Sequence, residues 1–369
     1  MAGIYIHIPF CKSKCSYCDF ASFPDKLCFA ESYAACVCRE MSKRSKELEN
    51  YSFQSLYIGG GTPSVIDENY IALIVAAARK YFKLEKGAEI TIEMNPGTVS
   101  KNKIETYLKC GINRFSVGLQ TAVDSQLADL GRIHNLKDFL LCAKLLKGCN
   151  FSVDVMFGLK NQTPEDLIKT IETVAYSGAK HVSMYALTPE DGTPIYTDYL
   201  NGELPDGDET ADLYACGVKR LEELGYNRYE VSNFAKKGYE SRHNLNYWRR
   251  GEYIGFGVAA SSCINDVRFT NTYDLDEYFK CILSDNFAVV SSEKVDEEGR
   301  EEEFIMLALR TSRGMSLGEY SALFGGDFLE KYAERLKKVR EYIVINGDFL
   351  AIKDEYLFVQ NSVIVDILG

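Results

Sequence analysis

No stretch of this 369-residue sequence approaches the roughly 18–20 consecutive apolar residues that cross a bilayer, so no transmembrane helix is expected. Positive charge is in short supply: 42 Lys and Arg against 53 Asp and Glu leave a net charge of −11. Broad electrostatic attraction to nucleic acid or to anionic lipid is therefore not expected. A signal-peptide pattern is also missing, because strand-like residues begin at Gly3 and a cysteine cluster follows at once. The expected compartment is the cytoplasm. There is no low-complexity segment, and no internal repeat beyond strand–helix units. What remains is an ordinary globular composition, 46% hydrophobic and 26% charged, long enough for one large domain and a smaller one.

Twelve cysteines in a chain of this length do not make a disulfide scaffold. Most, such as Cys110, Cys142, Cys149 and Cys216, sit in apolar periodic stretches and read as buried free thiols. Three differ by their spacing.

Short β-branched runs alternate with amphipathic stretches. The predicted strands are Ile4–Ile8, Ser55–Ile58, Glu89–Glu93, Arg114–Gly118, Ser152–Phe157 and His181–Leu187. The predicted helices are Ala30–Glu47, Glu68–Phe82, Lys101–Lys109, Leu136–Leu146, Glu165–Tyr176 and Thr210–Leu224. This order argues for βαβ units and a parallel sheet, an α/β class, either barrel-like or doubly wound. Arg228–Asn233 reads as one more strand, and the regularity ends there. Arg242–Asn271 is rich in Gly, Asn and aromatics and holds the only Trp. Phe304–Leu309, Ser316–Phe324 and Phe328–Val339 then read as short helices. Tyr342–Ile352 and Leu357–Val359 read as a β-hairpin with turn residues at Asn346-Gly347-Asp348, the whole resembling a small winged-helix-like unit.

The strongest local signal is Cys11-Lys-Ser-Lys-Cys15-Ser-Tyr-Cys18, directly after the first strand. Three thiols within eight residues can converge on one point, and thiolates suit zinc or iron–sulfur clusters. A structural zinc site wants a fourth N or S ligand; His7 is the only nearby His, and no second CxxC exists. Three cysteines suit a cubane with one iron left open, with zinc and unligated thiols as the alternatives. The second signal is Tyr57-Ile58-Gly59-Gly60-Gly61-Thr62-Pro63, a turn where backbone can approach a ligand closely. It lacks the Gly-Lys-Ser/Thr ending of a phosphate loop and is not the dinucleotide fingerprint.

Together, the CxxxCxxC loop after a first strand and the GGGTP turn after a second resemble the radical S-adenosylmethionine (SAM) superfamily. Within it the sequence is similar to the branch that holds oxygen-independent coproporphyrinogen III oxidases and HemW-type heme chaperones. The resemblance runs over nearly the whole chain. It implies a partial (β/α)6 barrel over residues 1–233 and a smaller C-terminal α+β domain of the oxidase type over residues 234–369. It implies a [4Fe–4S] cluster on Cys11, Cys15 and Cys18. It further implies a SAM site formed by Tyr5, Tyr17, Gly60, Gly61, Thr62, Glu93, Gln120, Arg132 and Asp154. Strand-end carboxylates can take a ribose diol or an amino group, and Arg can fork onto a carboxylate. His243, in His243-Asn-Leu-Asn-Tyr247-Trp248, matches an HNxxYW motif associated with heme; a neutral imidazole can ligate heme iron.

Two features separate the members of this branch. The oxidase carries a further Cys two places after the third ligand, where this chain has Phe20, and a long extension before its cluster loop, where this chain has ten residues. Both favour the chaperone type, with heme as cargo and heme-donating or heme-accepting proteins as partners. An electron donor such as flavodoxin or ferredoxin would allow reductive cleavage of SAM. Ser261 departs from the pattern, standing where many relatives have His.

Overall fold

The structure, a computed structural model, describes residues 2–369. Its six leading strands are β1 Ala2–Ile8, β2 Ser52–Gly60, β3 Lys83–Met94, β4 Arg114–Gln120, β5 Phe151–Phe157 and β6 His181–Ala186. They pair parallel in chain order, each joined to the next through helical segments. Main-chain groups at the helix starts are satisfied locally: Asn135, Thr163 and Asp206 each form a capping box.

The strands alternate in character. On one face Ile4, Ile6 and Ile8 of β1, Ile90 and Ile92 of β3, and Phe115 and Val117 of β4 are buried in a core with the surrounding helices. The other face carries Tyr57, Thr91, Ser116, Ser152 and His181, neighbours across the ladders or one layer apart. Such alternation marks a curved sheet with an apolar exterior under helices and a polar interior.

The curve does not close. The free edge of β1 takes β9 (Tyr253–Phe256) in parallel, following the short β7 (Asn227–Arg228) and β8 (Asn233–Ala235). On the far edge β8 pairs antiparallel with β6. The sheet runs on from β9 through β10 (Ser261–Ile264), β11 (Val267–Asn271) and β12 (Val289–Lys294) to twelve strands in all. Buried apolar residues from Ala2 to Ala288 form one main hydrophobic core, with a smaller separate cluster of Leu130, Met156, Leu159, Leu187 and Ile195. A second core, from Phe304 to Ile367, belongs to a separate helical unit with a three-stranded sheet.

Three local expectations change. Arg228–Asn233 is not one strand: Glu230 turns its backbone away from β6 and bridges to Thr311 of the second unit. The hairpin is complete within Ile343–Asn346 and Phe349–Ile352, while Leu357–Val359 belongs to a 3-10 turn (Asp354–Val359) leading into a helix, Gln360–Leu368. Leu357, Val363, Ile364 and Ile367 bury together, so their spacing serves helix packing. Phe328–Val339 breaks at Tyr332, whose hydroxyl is drawn to the Glu301 carboxylate at 3.0 Å.

One buried carboxylate ties the added strands to the barrel. Glu40, on the first helix (Ala30–Arg44), accepts from Gly257 N, Asn271 Nδ2 and the Tyr278 hydroxyl at 2.8–2.9 Å. Glu40→Ala would orphan these donors inside the core. We expect a loss of about 3 kcal/mol or more in unfolding free energy, measured by denaturant titration, whereas an exposed neighbour such as Glu31→Ala should cost little.

Candidate functional site

The polar interior opens at the C-terminal ends of the strands into a cavity of about 490 Å³. Barrel active sites gather at this end because loops there are free to vary without disturbing the core. The cysteine loop leaves β1 and folds over the opening. It is pinned by Ser16, whose N–H donates to the Leu130 carbonyl at 3.1 Å and whose carbonyl accepts from Ile195 N at 3.0 Å. Cys11, Cys15 and Cys18 all line the cavity. Among the described residues no three His, Cys, Asp or Glu side chains are arranged to hold a single metal ion. Tetrahedral zinc thiolates would need sulfurs within about 4 Å of one another, as Zn–S bonds near 2.3 Å require. A cubane accepts wider spacing, since each thiolate takes a different iron.

The glycine turn faces these thiols. Gly61 N and Thr62 N donate to the carbonyls of Ile8 and Phe10 at 2.9 and 2.8 Å, stitching β2's end to the start of the cysteine loop. The Thr62 hydroxyl lies 3.5 Å from Cys11 Sγ. A Cβ on Gly61 would stand 2.8 Å from the Phe10 carbonyl and 3.0 Å from Cys11 Sγ, and one on Gly60, at φ +114°, 2.7 Å from the His7 ring. The glycines are therefore required by close approach, which leaves a cradle beside the thiols.

Two carboxylates sit deep on the polar face. Glu93 accepts from the Tyr57 hydroxyl at 2.8 Å and from Gly60 N at 3.1 Å; burial pushes its carboxyl up to about 7. Asp154 accepts from Ser116 Oγ at 3.4 Å, and burial pushes it up to about 6. Opposite them, Arg132 donates through Nη2 to the Gly118 carbonyl at 2.7 Å. Through Nη1 it donates to the Tyr17 hydroxyl at 3.3 Å and the Cys15 thiol at 3.5 Å, and its Nε is buried with no partner. Gln120 ends β4 at φ +78°, a left-handed conformation that a non-glycine residue adopts at some cost. Cysteines, glycine turn, both carboxylates, Gln120, Arg132 and Tyr17 share this one cavity.

Tyr5 and His243 lie outside it. The Tyr5 hydroxyl is 3.0 Å from His7 Nδ1, and its ring stacks on Tyr57, the residue that holds Glu93. His243 is buried, with Nδ1 2.8 Å from Ser55 Oγ, Nε2 3.0 Å from the Tyr247 hydroxyl and its ring stacked on Tyr57. Burial lowers its imidazole to about 3, so it is neutral. Ser261 pairs with Thr270 in the β10–β11 hairpin. Phe20, by contrast, is 68% exposed at the cavity's edge.

Arg114, Ser116, Ser152, His181, Ser183 and Tyr185 also line the cavity, and reading by motif misses them. The signal that finds them is the alternation itself. Each polar residue on β4, β5 and β6 stands two places from the next, between buried apolar ones.

A family model described as the radical SAM superfamily matches residues 5–174, and one described as the HemN C-terminal domain matches residues 295–360. The heme chaperone HemW of Bacillus subtilis is 32% identical over 358 residues, 95% of this chain and 94% of that protein. HemW of Escherichia coli is 36% identical over 266 residues, 70% of this chain and 69% of that one. Coproporphyrinogen III oxidase (HemN) from Escherichia coli, a radical SAM enzyme, superposes with a TM-score of 0.87 over 99% of this chain and 89% of its own, at 18% identity. That last likeness shows the fold, a partial barrel with an added C-terminal domain. Three thiols, a glycine cradle and an unpartnered Arg132 Nε in one cavity fit the cofactors of the superfamily, a [4Fe–4S] cluster and SAM. The chain belongs to the HemW family of radical SAM proteins.

Proposed function

We propose that this protein binds heme, as the name of its relatives, heme chaperone HemW, says of them, and that it passes the heme to acceptor proteins in the cytoplasm while holding a [4Fe–4S] cluster and SAM. The observation that carries the reading is full-length likeness to HemW joined to one cavity that holds the cysteines, glycine turn and strand-end residues. Cys11, Cys15 and Cys18 would hold the cluster. Gly60, Gly61 and Thr62 would admit the SAM amino-carboxylate group, with Glu93 taking the amino cation. Arg132, Gln120, Asp154 and Tyr17 would position the remainder, and Tyr5 would steady Tyr57 behind Glu93. When bound, the cluster supplies one-electron chemistry at the SAM sulfonium, fed by a donor of the flavodoxin or ferredoxin type. The division into a barrel unit and a C-terminal unit would let cargo exchange proceed beside an undisturbed cofactor site.

Phe20 supports the chaperone reading over the oxidase, because a carbon side chain stands where the oxidase has its further Cys. The deciding experiment offers heme and coproporphyrinogen III in parallel to anaerobically reconstituted protein with SAM and a reductant. Heme should bind and move to an apo-acceptor. Protoporphyrinogen IX formed at catalytic turnover would overturn the reading in favour of the oxidase.

His243 is the residue that the family resemblance assigns to heme. An iron bond at Nε2 would require the Tyr247 hydroxyl to give way. His243→Ala should shift the heme absorption spectrum and slow transfer, with iron and sulfide content unchanged. An unchanged spectrum would remove His243 as a ligand and leave heme binding itself standing.

A further inference from the structure

The cavity continues along the strands away from the cysteines. Arg114 opens β4, about 13 Å of strand below Gly118 at a rise of roughly 3.3 Å per residue. It is 2% exposed and forms no ion pair among the described residues; its one hydrogen bond runs from Nη1 to the Tyr239 carbonyl at 3.0 Å. Two other guanidinium groups with little exposed side-chain surface have anionic partners. Arg44 pairs with Glu47 at 3.0 Å, and Arg228 pairs with Asp354. Glu89, on the adjoining strand, is already engaged: its carboxylate accepts from Arg242 N, His243 N and the Ser241 hydroxyl at 3.1–3.5 Å. Asp154, in the same cavity, is a carboxylate that Arg114 influences but does not pair with. A buried cation with no anion in contact is costly, and the cost falls when a ligand supplies one.

His181 adds a second unused donor. His181 Nε2 lies 2.7 Å from the Tyr229 hydroxyl, which accepts from Ser241 N at 3.3 Å. Either member of the Tyr229–His181 pair can donate; the tautomer of interest is the one in which Tyr229 does. The imidazole proton then sits on Nδ1, which is buried with no partner. Thr91, paired with Arg114 across the β3–β4 ladder, likewise has a buried hydroxyl with no partner. Arg114, His181 and Thr91 all line the cavity.

We propose that this end of the cavity is a carboxylate-binding subsite, with the Arg114 guanidinium forked onto the anion and His181 and Thr91 beside it. A single cation among neutral donors suits a singly charged carboxylate. A phosphate dianion would call for a second cation, which this end of the cavity lacks. The carboxylate belongs either to a small free acid or to an acid arm of a larger cargo.

The test uses cluster-loaded protein with SAM present. Acetate titrated by calorimetry should bind saturably, and Arg114→Gln should weaken it tenfold or more while Arg114→Lys retains part of the affinity. In a second arm, heme and its dimethyl ester are compared. If the acid arm of a large cargo is the ligand, wild-type protein prefers the free acid and Arg114→Gln removes that preference, whether or not acetate binds. Iron content, SAM affinity and melting temperature of each variant confirm that the fold and cofactor site are intact. Should Arg114→Gln fail to fold, Arg114→Lys and His181→Gln provide the same comparison. Neither saturable acetate binding nor any change in the acid–ester preference would overturn the subsite, leaving heme binding by the wild type to be judged separately.

Discussion

Cys11→Ala, Cys15→Ala and Cys18→Ala should each reduce anaerobically reconstituted protein from about four irons per chain to near none. No fourth thiol stands by to substitute, because the remaining nine cysteines lie outside the cavity. Cys28→Ala and Cys36→Ala should keep their full iron: Cys28 is exposed, and Cys36 is on the first helix, buried in the core. The loop should hold its shape without the metal, since its fastening to Leu130 and Ile195 is through backbone. Melting temperatures of the apo forms should therefore agree among the variants while iron and labile sulfide differ. Recovery of one zinc and no sulfide from carefully anaerobic material would refute the cluster.

SAM binding to the cluster-loaded protein should weaken by tenfold to a hundredfold in Glu93→Ala or Arg132→Ala, the loss of one charged hydrogen bond at about 1.5–3 kcal/mol. It should also depend on pH in one direction. Burial holds Glu93 near 7 in the ligand-free protein, so below that pH the carboxyl is protonated and cannot pair with the SAM amino cation. Affinity should then fall about tenfold for each pH unit below 7, with proton release on binding detectable by calorimetry in two buffers. Glu93→Gln should bind weakly at every pH and lose this slope. The sign for folding runs the other way. Glu93 and Asp154 are raised to about 7 and about 6, so the folded apoprotein binds protons that the unfolded chain has released. Their contribution to stability is fully present below the ordinary carboxylate values of 4.5 and 3.8 and is lost as pH rises through 6 and then 7. A pH-independent affinity would remove Glu93 from the amino group's place.

The cysteine site is legible in the sequence because its geometry is local. Cys11, Cys15 and Cys18 span eight residues on one loop, and a chelating loop needs little from the rest of the chain to bring its donors together. The six strands and their helices are legible for a related reason, since period 2 and period 3.6 are written residue by residue. The glycine turn is recognisable as a turn, yet its purpose depends on Phe10 and Cys11, some fifty residues earlier in the chain.

Sequence alone therefore determined the cluster loop, the βα order and the superfamily, all of which depend on spacing along the chain. Tertiary structure decided the rest. Parallel pairing in register put Arg114, Ser152 and His181 on one wall, though each looks like an ordinary strand residue by itself. Pairing of β9 with β1 carried β9 to β12 into the barrel's sheet, where the aromatic, glycine-rich stretch Arg242–Asn271 had suggested only a change of pattern. Packing also sealed His243 between Ser55, Tyr57 and Tyr247, a fate its motif does not disclose. The physical reason is common to all three: which side chains meet across a sheet depends on register and curvature, and those are settled by contacts between distant segments.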